Sequence, residues 1–189
     1  MTEKPIIGVL GLQGAVELHR PHIEEAGGVF RLVKKEEHFD GLDGLILPGG
    51  ESTTMLKLID RLALEDSIRN VFKTIPVWGI CAGAILMAES VGNPVQRSFA
   101  ALPITMIRNG YGRQVDSIHF DIDGYPVSFI RAPIIAAVHH DIDVMAKRDN
   151  APIWVKMGKH MATTFHPELT KDYPSPMHTE FLAMVREAM

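Results

Sequence analysis

Residues 76–83 read PVWGICAG, and this short stretch decides how the chain is expected to fold. An apolar run leads through Gly79 into Cys81, and Gly83 follows two residues later. The pattern is typical of a strand that ends in a tight turn and feeds a helix, with cysteine at the tip. Glycines suit both flanks because side chains there would collide with a neighbouring strand or helix. The stretch therefore predicts a nucleophile elbow in which Cys81 is the attacking group.

The size and composition of the chain are those of a soluble globular protein. Its 189 residues suffice for a substantial core, and we expect residues 1–189 to form one domain. A net charge of -4 does not favour nucleic-acid binding, which usually needs a basic face. One cysteine cannot form an intrachain disulfide, and no apolar stretch resembles a signal-peptide core or a membrane span. These features predict a cytoplasmic location.

The first half of the chain alternates between strand-like and helix-like segments. Short apolar runs predict buried strands at residues 6–10, 29–34, 45–48 and 77–80. Helical spacing predicts helices at residues 15–26, from Ser52 or Thr53 to 62, and at 82–90. Pro21 lies inside the first of these, so that helix should begin late or kink. Alternation of this kind indicates βαβ units and a parallel sheet.

The second half is richer in strands separated by short turns. Strands are predicted at residues 104–108, 114–122, 127–130, 142–146, 153–157 and 160–165, and a closing helix at 177–188. Several of these segments alternate apolar and polar residues, which is typical of antiparallel pairing. We therefore expect antiparallel strands at an edge of the sheet or in a small extra sheet.

Three motifs fall at the predicted carboxyl ends of strands, where open parallel sheets place their chemistry. They are Gly49-Gly50-Glu51, Cys81, and His166 with Glu168. His166 could accept the thiol proton of Cys81 and later donate it to a leaving amine. Glu168 would orient the imidazole and stabilise its cation. Together the motifs predict a single site for acyl transfer.

Further groups near these motifs could hold a substrate. The backbone N–H groups of Gly50 and of Ala82, the residue after the nucleophile, could form an oxyanion hole. Arg108 and Arg113 lie close together in the sequence, and such a pair suits a small anion or a carboxylate. Each assignment has a plainer alternative. Cys81 could be an inert buried thiol, Glu51 could only complement a helix dipole, and Arg131 could belong to a structural ion pair.

Two groups of histidines raise the question of a metal. His19 and His22 are three apart on a predicted helix, and His139-His140-Asp141 are consecutive. Neither group supplies a recognisable complete ligand set, so no metal is expected.

Beyond the elbow, several longer segments resemble one family. The chain is similar to the class I glutamine amidotransferases and, more narrowly, to the glutaminase subunits of pyridoxal 5′-phosphate synthase (the PdxT family). The shared segments occur in the family's order and span almost the whole chain: residues 12–14, 47–54, 81–84, 108–109, 112–117, 129–133 and 165–169. The segments PGGESTT, GRQVDS and FIRAP are the most specific of these.

The resemblance implies an α/β fold: a three-layer, open, mostly parallel sheet of flavodoxin-like type, with helices on both faces and antiparallel edge strands. It implies hydrolysis of L-glutamine to glutamate and ammonia through a thioester on Cys81, without a cofactor. The ammonia would pass to a partner synthase subunit that builds pyridoxal 5′-phosphate from a pentose phosphate and a triose phosphate. Glutamine-binding roles carry over by position to Gly49, Gly50, Glu51, Arg108, Ile130 and Arg131. Gln13 is expected near the oxyanion hole and the partner, where docking could switch activity on.

Three functional classes remain open on the sequence. The first is a glutaminase subunit of a two-protein synthase, and the second is a stand-alone cysteine amidase or peptidase on a similar sheet. The third is a catalytically silent scaffold or redox sensor that uses Cys81 only as a reactive thiol. Intact His166 and Glu168 argue against the third class.

Overall fold

The computed structural model describes residues 3–110 and 118–189, apart from the side chain of Ile118. Within this part of the chain, short runs of apolar and β-branched residues form the strands. In chain order the strands are β1 (Ile6–Leu10), β2 (Val29–Val33), β3 (Gly44–Leu47), β4 (Val77–Ile80), β5 (Ala88–Gly92), β6 (Leu102–Ile107), β7 (Ile118–Ile122), β8 (Tyr125–Phe129), β9 (Ile134–Val138), β10 (Asp143–Arg148), β11 (Ala151–Met157) and β12 (His160–Thr163).

The helices alternate with strands in the first half and close the chain at its end. They are α1 (His19–Glu25), α2 (Ser52–Arg61), α3 (Glu65–Thr74), α4 (Ala82–Met87) and α5 (Pro176–Ala188). Short 3-10 helices occupy Val16–Leu18, Glu36–Phe39 and Pro167–Leu169. The late start of α1, with Pro21 in its first turn, agrees with the expected effect of that proline. Among the described residues no helix is both long and apolar enough to cross a bilayer.

The central sheet has the strand order β10-β11-β12-β4-β3-β1-β2. Its strands from β12 through β2 pair in parallel, whereas β10 and β11 pair antiparallel at one edge. Two smaller units accompany it: a sheet of β5, β6 and β9, and the hairpin of β7 and β8. The mostly parallel sheet with antiparallel edge strands confirms the predicted fold class.

Two apolar clusters cover the two faces of the central sheet. Alternate residues of a strand enter opposite clusters, so that Leu45 and Leu47 lie on one face and Ile46 on the other. On the first face the cluster includes side chains of α2, α3 and α4, and on the second it includes side chains of α1 and α5. This arrangement gives the predicted three layers.

Some local predictions were wrong. The helix expected over residues 82–90 ends at Met87, and the chain continues directly as β5, in which Glu89 and Ser90 are exposed. The prediction failed because alanine and methionine favour a helix, while burial against the rest of the molecule decides where it ends. Helix α3 and strand β9 were not predicted. The N-cap of α2 is Glu51 rather than Ser52 or Thr53.

Candidate active site

Cys81 lies at the turn between β4 and α4, as the elbow motif predicted. Its backbone has φ 49° and ψ -101°, a left-handed conformation that is costly for a residue with a side chain. The N–H of Cys81 donates to the carbonyl oxygen of Thr163 at 2.8 Å, which ties the turn to β12. The fold therefore holds a strained backbone in order to place the thiol at the end of β4.

The flanking glycines permit close backbone contacts at the elbow. A Cβ atom on Gly79 would lie 2.7 Å from the carbonyl carbon of Gly83, and one on Gly83 would overlap the carbonyl oxygen of Leu47. Real Cβ atoms do not tolerate such contacts with backbone. The structure thus confirms that side chains at either flanking position, Gly79 or Gly83, would collide with neighbouring backbone.

His166 and Glu168 form a buried pair next to the elbow. Nδ1 of His166 lies 2.7 Å from Oε1 of Glu168, and the carboxylate side chain is only 1% exposed. The backbone N–H of His166 donates to the carbonyl oxygen of Ser128 at 2.8 Å, which fixes the segment against β8. Gly49 packs so closely against the imidazole that a Cβ atom there would overlap it. The ring is therefore held from both sides.

The electrostatics of this pair favour a charged imidazole. Burial would lower the pKa of His166, but Cys81 and the Glu168 carboxylate raise it well above the ordinary 6.5. Burial would likewise raise the pKa of Glu168, and the neighbouring His166 lowers it below its ordinary value. The arrangement can therefore hold an imidazolium between a sulfur and a carboxylate.

A cavity of about 300 Å³ opens over the thiol. It brings together most of the predicted site: the cavity is lined by Gln13, Gly50, Glu51, Cys81, Ala82, Arg108, Ile130, Arg131 and His166. Two predicted residues do not line the cavity: Glu168 lies behind His166, and Gly49 contacts the imidazole ring of His166. The motifs predicted at separate strand ends do converge on one place.

Glu51 caps α2 and also lines the cavity, and its part in binding a substrate stays a prediction. Its carboxylate accepts hydrogen bonds from the backbone N–H groups of Thr53 and Thr54 at 3.2 and 2.7 Å, and so caps α2. Its Oε1 also lies 3.2 Å from Nη2 of Arg108. Burial raises the pKa of Glu51, but the hydrogen bonds from Thr53 and Thr54 outweigh it and lower the pKa to about 2. The group is a fixed anion at the cavity wall.

Gln13 holds the loop that carries Gly50. Its side-chain oxygen accepts a hydrogen bond from the backbone N–H of Glu51 at 2.9 Å. A Cβ atom on Gly50 would lie 3.1 Å from that same oxygen. Gln13 therefore contacts the backbone segment predicted to contribute to an oxyanion hole.

Arg131, another lining residue, has φ 45°, again in the left-handed region, and follows Ile130, which is 40% exposed. Non-glycine residues in this region cluster at functional sites.

Gly14, Ser52, Ile85 and Asn109 also line the cavity and were not predicted as site residues. Ser52 and Asn109 adjoin predicted residues in sequence, which was the available signal, whereas Ile85 depends on the geometry of α4.

Two other predictions have different outcomes. Arg113, suggested as a partner of Arg108 in anion binding, lies outside the described residues, as does the segment 111–117. His139, His140 and Asp141 form an exposed group whose ligand atoms lie within 4.8 Å of one another, and the two imidazoles contact the Asp141 carboxylate. None of the three residues lines the cavity, and the carboxylate is already paired with both rings.

A cysteine elbow at the end of a parallel strand, with a buried histidine and carboxylate beside it, is typical of cysteine-dependent amide or ester hydrolases of the α/β class. The chain belongs to the SNO glutamine amidotransferase family, which matches residues 9–187. It is 44% identical to pyridoxal 5′-phosphate synthase subunit PdxT of Koribacter versatilis (strain Ellin345), covering 95% of each chain. It is 42% identical to the PdxT subunit of Solibacter usitatus (strain Ellin6076), covering 94% of this chain and 97% of the relative. A crystal structure of a glutamine amidotransferase superimposes with a TM-score of 0.85 at 37% identity, covering 95% of this chain and 98% of that one.

Proposed function

We propose that this protein is the glutaminase subunit of a pyridoxal 5′-phosphate synthase. It hydrolyses L-glutamine to L-glutamate and ammonia, and passes the ammonia to a partner synthase subunit for vitamin B6 biosynthesis. The observation that supports the proposal is that Cys81 and His166 line one cavity of a glutamine amidotransferase fold, with Glu168 in contact with His166 behind it. The names of the similar proteins supply the synthase and its product.

Thioester formation uses the thiol and the imidazole in turn. His166 takes the proton of Cys81, and the thiolate attacks the side-chain amide carbon of glutamine to form a C–S bond. The carbonyl electrons move onto oxygen and then return as the C–N bond breaks. His166 gives its proton to the departing nitrogen, which leaves as ammonia. The raised pKa of His166 fits a group that carries the proton between these two events.

Thioester hydrolysis repeats the sequence with water. His166 removes a proton from a water molecule, whose oxygen attacks the thioester carbon and forms a C–O bond. The C–S bond then breaks, the thiolate recovers the proton, and glutamate is released. Glu168 stays ionised throughout and stabilises the imidazolium at each stage.

Charged groups on the cavity wall suit the amino-acid end of glutamine. The Glu51 carboxylate, ionised down to about pH 2, can hold the α-ammonium. Arg108, paired with Glu51, and Arg131 can hold the α-carboxylate or support the loop that binds it. Ile130 supplies an apolar wall for the methylene groups of the substrate.

The oxyanion would be held by backbone N–H groups of Gly50 and Ala82, both at the cavity surface. Because Gln13 is bonded to the adjacent N–H of Glu51, movement of Gln13 would alter the Gly50 loop. We place the docking of the synthase partner near Gln13. Docking there would set the geometry of the oxyanion hole and raise glutaminase activity.

The decisive experiment measures ammonia release from L-glutamine with and without the synthase subunit. We expect weak activity alone, an increase with the partner, and none with Cys81→Ala in either case. L-Asparagine, one methylene shorter, and a glutamine-containing peptide serve as control substrates. Unchanged activity in Cys81→Ala would refute the nucleophile, and full activity without the partner would refute the subunit assignment. Cleavage of the peptide in preference to glutamine would support a stand-alone amidase or peptidase.

A further inference from the structure

Ser52 is a buried polar residue of the cavity wall, and the reaction described above gives it no role. It is the first residue of α2, directly after Glu51, and only 3% of its surface is exposed. A serine hydroxyl carries a single proton and can also accept hydrogen bonds on its oxygen. What this hydroxyl offers to a substrate therefore depends on where its proton is directed.

The proton of Ser52 is directed onto Gln96, which does not line the cavity. Oγ of Ser52 donates to Oε1 of Gln96 at 2.9 Å. Gln96 belongs to the segment between β5 and β6, and this segment is anchored on α4 because the backbone N–H of Phe99 donates to the carbonyl oxygen of Leu86 at 2.7 Å. The hydroxyl is thus oriented by a side chain outside the cavity wall.

The direction of this hydrogen bond decides which substrate groups Ser52 can bind. When Oε1 of Gln96 accepts, as found here, the lone pairs of the Ser52 oxygen remain available to the cavity. If the amide were turned over, Nε2 would donate to Ser52, and the serine proton would be available instead. Nε2 of Gln96 is buried and has no hydrogen-bond partner among the described residues, so the contact with Ser52 is the one that distinguishes the two orientations.

The neighbouring Glu51 explains why an acceptor is needed in this wall. Its carboxylate accepts hydrogen bonds from the backbone N–H and the hydroxyl of Thr53, from the same two groups of Thr54, and from Arg108. An ionised carboxylate has about four lone-pair sites, so these donors already fill it. Glu51 therefore supplies negative charge, whereas an ammonium group still needs another oxygen to accept its N–H groups.

We propose that Gln96 is a positioning residue for substrate binding: it takes the proton of Ser52 and so leaves Oγ of Ser52 as an acceptor for the α-ammonium of glutamine. Glu51 attracts the ammonium by its charge, and Ser52 accepts one of its N–H groups. Gln96 acts only through Ser52. The inference rests on the proposed function and deepens it, because it assigns a recognition role within the same cavity.

The test measures binding, so that it does not depend on turnover. Isothermal titration calorimetry on the Cys81→Ala protein, in complex with the synthase subunit, gives Kd for L-glutamine without hydrolysis. Gln96→Met in this background keeps the length of the side chain but has no acceptor for the serine proton. We expect Kd to rise about tenfold, and an unaltered Kd would overturn the proposal.

A conservative variant tests the direction of the hydrogen bond. Gln96→Glu keeps an oxygen that can accept from Ser52 and lacks the N–H group, so we expect Kd for glutamine to stay within about threefold. If Nε2 of Gln96 were the partner of Ser52, Gln96→Glu would lose that donor. A rise in Kd as large as that in Gln96→Met would therefore overturn the proposal.

A double-mutant cycle tests whether Gln96 acts through Ser52. Ser52→Ala removes the acceptor, and we expect it to raise Kd about as much as Gln96→Met does. Adding Gln96→Met to Ser52→Ala should then have no further effect. A further tenfold rise in the double variant would show that Gln96 acts by another route and would overturn the proposal.

A glutamine analogue identifies the end of the substrate that Ser52 contacts. 4-Carbamoylbutanoate is glutamine without the α-ammonium, and its Kd is measured by displacement of glutamine. We expect Gln96→Met to change this Kd by less than about twofold, because the group that Ser52 recognises is missing. A tenfold rise for the analogue as well would assign Ser52 to another part of the substrate and would overturn the proposal.

Failure of this inference is distinguishable from failure of the proposed function. A Cys81→Ala complex with native Gln96 that does not bind L-glutamine would overturn both. Binding that Gln96→Met leaves unaltered would overturn only the role given to Gln96.

A matched control lies in the same segment of the chain. Phe99 is 8% exposed, packs in the apolar cluster with α2 and α4, and does not line the cavity. Phe99→Leu should lower the thermal unfolding temperature and leave Kd for glutamine within about twofold. An equal rise in Kd in Phe99→Leu and Gln96→Met would show that general loosening of the segment is responsible and would contradict the role given to Gln96.

Discussion

Cys81, which lines the cavity, and Glu168, which lies behind His166, are held by two regions that are built in opposite ways. The elbow region, comprising β3, β4 and α4, holds Cys81 by contacts between backbones, at Gly79 against Gly83 and at Gly83 against Leu47. The carboxylate region, comprising residues 166–178 together with α1, contains side-chain contacts instead: Glu168 contacts His166, and His178 contacts His19 and Ser175. The elbow region therefore depends on positions without side chains, whereas the carboxylate region depends on the chemical identity of its side chains.

This difference predicts different consequences for substitutions in the two regions. A change in the elbow region should first affect folding, since no other backbone path fits between the packed strands and helix. A change in the carboxylate region should first affect chemistry, since isosteric side chains can fill the same space without the same charge. Four substitutions or conditions test this contrast.

The largest expected effect is on turnover, from Glu168→Gln in the carboxylate region. Glutamine has the same shape but no charge to stabilise the imidazolium of His166, and a comparable loss in a serine triad costs about 10⁴-fold. We expect kcat for glutamine hydrolysis to fall by about 10²- to 10⁴-fold, while the thermal unfolding temperature changes little. Unaltered kcat would break the comparison by showing that the carboxylate is structural.

In the elbow region, Gly83→Ala should destabilise the fold. The added methyl group would overlap the carbonyl oxygen of Leu47, and relief requires the backbone of α4 or β3 to move. We expect a loss of about 3 kcal/mol or more in the free energy of unfolding, measured with urea. Gly92→Ala is the control, since a Cβ atom there meets nothing within 4 Å. Equal stability of the two variants would contradict the role of close backbone packing.

The contrast also explains how much of the molecule the sequence predicted. Close backbone approach leaves a local signature, and Gly79 and Gly83 around Cys81 were sufficient to predict the elbow. The buried contact between His19 and His178 has no such signature, since the two are 159 residues apart and their contact depends on how α1 and α5 pack. From the sequence, His19 and His22 only raised the question of a metal, and their contacts with His178 and Ser175 could not be predicted.

Competing local signals account for other differences. Ser52 and Thr53 are favoured N-cap residues, yet Glu51 caps α2, because its carboxylate reaches two backbone N–H groups while facing the cavity. The helix predicted over residues 82–90 is longer than α4, because its residues favour a helix on their own. Residues 88–92 instead form β5, which pairs with β6, a strand that lies further along the chain. Propensity is local, and pairing across the fold overrides it.

Acid should destabilise the carboxylate region before it affects Glu51. Burial lowers the pKa of His19 from 6.5 to about 4, so between these values the unfolded chain binds a proton that the folded chain does not. The free energy of unfolding therefore falls as pH falls from 6.5 to 4, by on the order of 3 kcal/mol from His19. His22 and His178 have lowered pKa values and add to the loss in the same direction. His166, with a raised pKa, acts oppositely and loses its contribution only as pH rises above 6.5.

Urea unfolding at intervals between pH 7 and pH 4 measures this slope. His19→Gln removes one titrating group and should make the slope shallower. Glu51 adds little to the slope in this range, because its stabilising contribution is complete above its ordinary pKa of 4.5 and is lost only as pH falls from there toward about 2. A flat profile between pH 6.5 and 4 would contradict the burial of His19, His22 and His178 as neutral rings.

The smallest expected effect is on substrate affinity, from Arg108→Ala at the cavity wall. Nη2 of Arg108 lies 3.2 Å from the Glu51 carboxylate, whose side chain is 40% exposed, so solvent screens the pair and the threonine hydrogen bonds still hold Glu51 in place. We expect KM for glutamine to rise about tenfold through loss of a charge-assisted contact, with kcat within about threefold. Arg97→Ala is the control, because Arg97 pairs with Asp60 and Glu65 and does not line the cavity. A fall in kcat without a rise in KM would contradict this prediction and place Arg108 with the groups that act on the transition state. A rise in KM of the same size in Arg97→Ala would show that the effect comes from surface charge.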